Sequence, residues 1–171
     1  MKGLTRALKR GPAALRPALP YSIPISVVLS PTGITDTAVS NTAVVGGLPE
    51  GNILLLGAVA SLAFAGPGAS ANLTDDWEGD FAIGSAPTAD ATLNGAEVNI
   101  IPSTAIGPAT AEVIAAVRSA NATAAVLDNT DGSLEINLNV RFDANEVTNG
   151  QTVNITASGF LHLAYVLLGD D

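Results

Sequence analysis

The sequence predicts an all-β protein: a β-sandwich, jelly-roll-like, with an extended N-terminal arm. Three observations lead there. Between Ser133 and Leu168 the chain alternates in strict period two. Leu134, Ile136, Leu138, Val140 and Phe142 interleave with Glu135, Asn137, Asn139 and Arg141, and a second run places Val153, Ile155, Ala157, Gly159, Leu161, Leu163, Tyr165 and Leu167 on one side. A strand with one dry and one wet face has this pattern. Second, roughly eight short apolar or β-branched stretches are separated by Gly, Pro, Asn and Asp turn signals, as in a sandwich. Third, little of the chain favours helix. The expected division is an arm over residues 1–20 and one sandwich domain over 21–171.

A chain of 171 residues supports one domain with a real core. Hydrophobic residues make up 47% but aromatics only 4%, so a core of Val, Ile, Leu and Ala without large ring anchors is expected. Charged residues are 13% and Asn, Thr and Ser supply most polarity; the usual charged share is about a quarter. With a mean hydropathy of +0.38, such a surface suits a protein that buries area against copies of itself or a partner.

Charge is segregated. Residues 1–16 hold five cations, Lys2, Arg6, Lys9, Arg10 and Arg16, and no acid. The other 155 residues carry two arginines against 16 acids, a net of −14 beneath the overall −9. The arm is therefore expected to dock on a neighbouring acidic surface through those five cations. Nucleic acid is not an expected partner: five charges could touch phosphates, but the body would be repelled.

Taken in order, Pro12, Pro17 and Pro20 break helix continuity in the arm, although Leu4, Ala7 and Leu8 fall at helical spacing. Arg16 and the prolines also interrupt any signal-peptide core. Residues 21–45 are strand-like, with a turn at Pro31-Thr32-Gly33. Residues 48–65 are the most apolar stretch, shorter than the ~20 residues of a membrane span. Flanked by Gly and Pro, they read as a core strand buried on both faces and kinked at Gly57, so no membrane is expected as a partner. Residues 66–87 form an acidic loop in which Asp75, Asp76, Glu78 and Asp80 surround Trp77. The alternating ligands and distal Glu of a calcium loop are missing, so Trp77 is expected on the core or a neighbouring subunit, and no metal. Residues 88–101 look like two short strands joined at Asn94-Gly95; residues 109–120 suit helix or strand equally; Asp128–Gly132 is a turn into the closing hairpin, whose two strands, 134–142 and 152–167, are expected to pair centrally.

Catalytic chemistry has little to work with. With no cysteine, thiol chemistry and disulfides are excluded. The one histidine, His162, lies mid-strand on the face opposite Leu161 and Leu163, where a structural role is the ordinary one. No glycine-rich cofactor loop or phosphate-binding lysine pattern occurs, and no catalytic residue, cofactor or enzyme activity is expected.

GLPEGNILLLGAVASLAF (47–64), DDWEGDFAIGSAPTADATLNG (75–95), DNTDGSLEINLNVRFDANE (128–146) and the closing YVLLGDD (165–171) together resemble the small head decoration, or cement, proteins of tailed bacteriophages. The likeness covers about residues 45–171 and leaves the arm unmatched. It implies a virion structural subunit on the capsid exterior, made in the host cytoplasm, homotrimeric, and bound to the major capsid protein. The competing expectations are a tail-, fibre- or adhesin-like binding module, which as an adhesin would need an export signal not found here, and a hydrolase using the acids around Trp77.

Overall fold

The computed structural model describes residues 19–67 and 72–169. They form nine strands: β1 (Leu19–Leu29), β2 (Val39–Gly47), β3 (Asn52–Ala65), β4 (Gly79–Gly84), β5 (Ile101–Ile106), β6 (Val113–Asn121), β7 (Ala125–Leu127), β8 (Glu135–Phe142) and β9 (Ile155–Gly169). One sheet runs β1-β9-β3-β6, with β7 also on β3; the other runs β2-β8-β4-β5. All pairings between these strands are antiparallel. The all-β sandwich expected from period-two patterning is what the chain forms.

The topology departs from the sequence reading in one respect. The two closing strands do not pair with each other. β8 lies between β2 and β4 in the second sheet, β9 between β1 and β3 in the first. The segment 143–154 carries the chain across the sandwich instead of folding it back. Its residues bond elsewhere: the Thr148 N–H donates to the Asn72 carbonyl, and the Val153 N–H to the Pro31 carbonyl. Most successive strands change sheet in the same way; β4–β5 and β6–β7 remain within one.

Alternation then fills the interior. Ile136, Leu138, Val140 and Phe142 of β8 face Ile155, Ala157, Leu161 and Leu163 of β9 across one buried cluster. The core is not ring-free. Phe64 meets Trp77 edge-on at 6.4 Å and Phe81 at 5.8 Å, and Trp77 meets Phe142 at 5.3 Å, all four fully buried. The low aromatic share holds, but four of the seven rings are gathered in one place. The Trp77 indole N–H also donates to the Glu112 carbonyl at 3.4 Å.

Residues 88–101 do not form the two expected short strands. A single 3-10 turn, Gly95–Glu97, occupies the centre, and the segment lies over the outer face of the second sheet. Its anchor is Asn139, fully buried. The Asn139 amide donates to the carbonyls of Ala86 (3.0 Å) and Glu97 (2.9 Å), its oxygen accepts the Thr88 N–H (2.9 Å), and Thr42 donates its hydroxyl to it. A side chain offering donors and an acceptor satisfies loop backbone that strand pairing leaves open. The ambiguous 109–120 resolves to strand, with β6 at the sheet edge.

Residues 48–65 form the expected strand with an irregularity beside Gly57, where register shifts between Leu55 and Gly57. Burial on both faces does not hold. Ile53, Leu55, Ala58, Ala60, Leu62 and Phe64 point into the core, while Leu56 and Val59 remain 39% and 37% exposed. The fold covers only one face of a strand whose composition suits two. In β9, Gly159 (φ +147°) lets the backbones close up: a Cβ there would sit 2.0 Å from the Ser61 carbonyl oxygen.

Phe64→Ala should destabilise the domain by about 3–5 kcal/mol, because it removes a ring touching two others and leaves a cavity between the sheets. Val59→Ala, on the outer side of the same strand, should shift stability by well under ~1 kcal/mol. Thermal or urea melts of the two variants check this; equal effects would contradict the assignment of faces.

Candidate interaction surfaces

The cations expected to bind a partner, Lys2, Arg6, Lys9, Arg10 and Arg16, lie outside the described residues. What the described structure provides is the body they are attached to, and its surfaces are unlike one another.

The outer face of the first sheet is set by register. Ser22 pairs with His162 and Pro24 with Phe160 between β1 and β9; Val59 pairs with His162 and Ser61 with Phe160 between β3 and β9; Ser61 pairs with Arg118 and Val59 with Ala120 between β3 and β6. All alternate with core residues, so all lie on the outer side. Phe160 is 51% exposed, and its ring stacks on His162 at 6.0 Å with 11° between planes. Among the described residues of β1, β9, β3 and β6, the ionisable groups on this face are His162 and Arg118, and none is an acid.

A groove of about 350 Å³ opens on the same face, lined by Leu56, Gly57, Val59, Ala120, His162 and Ala164 among others. Its origin is in the pairing. β6 leaves β3 at the Ala58–Asn121 pair, and β7 joins β3 only at Leu55–Ala125. Leu56 and Gly57 therefore have no strand partner on that side, and Gly57 contributes no side chain to fill the gap.

The second sheet's outer face differs. The 85–99 segment covers part of it, and Arg141 lies there between Asp80 (2.9 Å) and Asp143 (2.6 Å), paired with both.

No family model matches the chain, and no curated protein matches it. Solved structures that resemble it include three viral ones. The capsid asymmetric unit of cyanophage Pam1 aligns over 97% of both chains at 18% identity with a TM-score of 0.43. The plant virus desmodium yellow mottle tymovirus aligns over 88% of this chain and 90% of its own at 10% identity and 0.29. Infectious bursal disease virus, Gt strain, aligns over 86% of this chain and 41% of its own at 11% identity and 0.21. All three likenesses are distant.

Acids crowd one end of the sandwich, where 72–78 and 143–148 run together. The Thr74 N–H donates to the Glu146 carbonyl, and the Thr74 hydroxyl to the Glu146 carboxylate. Burial pushes the Glu146 carboxyl above its ordinary value; the Thr74 hydroxyl opposes this, while Asp76, Glu78 and Asp143 add to it. Among the described residues no group of three or more His, Asp or Glu side chains is placed to hold a metal. At the opposite end the Ser133 backbone N–H and hydroxyl both donate to Asp131 and lower its carboxyl.

Because the Glu146 carboxyl is raised in the folded state, its charged form costs stability, and that cost fades as pH falls through the raised value toward the ordinary glutamate range. Glu146→Gln, which keeps an oxygen for Thr74, should therefore melt above the parent at pH 7. The difference should close as pH is lowered to roughly 4. Melting curves across that range check it; a constant difference would contradict the account.

Proposed function

We propose that this chain is a structural, non-enzymatic subunit of a virus particle, a decoration or cement subunit on the outside of a tailed-phage head. The observation that carries the reading is the strand order. β1-β9-β3-β6 facing β2-β8-β4-β5, with the chain passing repeatedly between sheets, supports reading this sandwich as a jelly roll. That architecture serves viral shell subunits, lectins and cupins, and a shell subunit is the occupation that needs no chemical site. Fold alone does not fix function. The sequence likeness to phage decoration proteins adds the shell and the major capsid protein as partner.

The charge layout supports the division of labour. The arm carries five cations and the rest of the chain a net −14, so the arm offers an attraction to an acidic shell surface that the body lacks. Prolines at 12, 17 and 20 restrict the arm, so less entropy is lost when it docks.

Replacing Lys2, Arg6, Lys9, Arg10 and Arg16 with serine should leave the sandwich folded and abolish attachment to decoration-free shells in co-sedimentation. Attachment of the parent should weaken as salt rises toward molar strength, where the Debye length is only ~3 Å. Undiminished attachment of the serine variant would refute the anchoring role. Absence of the protein from purified particles by mass spectrometry would refute the shell reading itself.

A further inference from the structure

We propose that the outer face of the β1-β9-β3-β6 sheet is a contact between two copies of this chain, in which Phe160 of each copy enters the groove beside Gly57 of the other. The contact is independent of the shell reading and stands or falls separately.

Three observations converge on a second copy as the occupant. The first is charge. Two bodies of −14 repel, and most of the surface they could present carries carboxylates: both ends of the sandwich and the Asp80–Arg141–Asp143 side of the other sheet. The β1-β9-β3-β6 face carries none among the described residues, so two copies can meet there without opposing acids. The second is dryness. β3 has the composition of a strand buried on both sides, yet Leu56, Val59 and, beside them on β9, Phe160 stay 37–51% exposed. Contiguous exposed apolar area of this kind marks association sites.

The third is shape. The projecting ring and the groove share one face, with the groove two to four residues further along β9. At strand rise that is roughly 7–13 Å away. A two-fold axis lying in the plane of the face, through the midpoint between ring and groove and perpendicular to the line joining them, carries each ring into the other copy's groove. Contacts of a two-fold interface are reciprocal in this way. The groove has the room: it measures about 350 Å³, and an apolar cavity of roughly 150 Å³ already accepts a benzene ring. Because ring and groove point the same way, the opposing face must point back, and a ring of three cannot be built from this contact.

The full chain should sediment as a concentration-dependent dimer. Phe160→Asp should weaken the dimer roughly thirtyfold or more, the scale of a buried aromatic anchor. Its circular dichroism and melting point should stay close to the parent's, since Phe160 faces outward. The cysteine-free chain allows a positional test. Mixed Phe160→Cys and Ala120→Cys proteins should cross-link to each other through a short bis-maleimide faster than either does to itself. A parent that stays monomeric to about 100 µM, a particle of three chains, a dimer indifferent to Phe160→Asp, or self-linking as fast as mixed linking would each overturn the proposal. So would Phe160→Cys that reacts with maleimide only after residues 1–16 are deleted, since the arm would then be the occupant.

Discussion

The two sheets depend on one knot of rings. Phe64 comes from β3 in the first sheet, Phe81 and Phe142 from β4 and β8 in the second, and Trp77 from the loop that enters β4. In a chain with so few aromatics, these four bury the largest side chains of the interior at one level of the sandwich. Anchoring Trp77 there has a consequence at the surface. Its flanking acids, Asp76 and Glu78, are fixed near Asp143 and Glu146; burial raises the Glu146 carboxyl, and that crowding adds to it.

The sandwich is asymmetric outside as well as in. One sheet carries its own cover, because Asn139 gives loop backbone the hydrogen bonds that an apolar residue would leave open. The other sheet has mostly apolar or small side chains outward, with Arg118 and His162 among them, and a gap where β6 leaves β3. A sheet of this kind gains by packing against another surface at the ordinary face-to-face spacing of about 10 Å. Charge reinforces the asymmetry: among the described residues the acids lie mostly at the ends and on the covered sheet, so approach along the bare face meets less repulsion.

Charge segregation along the sequence serves the same end. A basic segment on an acidic body can be attracted to a surface that the body alone would avoid, while the body's own contacts rely on burial and shape. Screening by salt should then act on the first and little on the second.

The sequence by itself determined the class of fold, the parity of the strands and the outward direction of His162, because side-chain alternation is a local property of extended backbone. It also determined that the chain has no thiol chemistry and that its cations are concentrated in the arm. Tertiary structure decided which strands pair. The last two strands read as a hairpin, since neighbours in sequence with a turn between them usually pair, yet residues 143–154 bond to 31–33 and 72–74 and pass between sheets. It decided that 88–101 is a covering loop, because a buried asparagine far along the chain supplies its partners. It gathered Phe64, Trp77, Phe81 and Phe142, which composition could count but not place. Above all it decided that β3 keeps one face open. Hydrophobicity states that a strand favours burial on both sides, but only the arrangement of the other strands settles which side the chain covers itself.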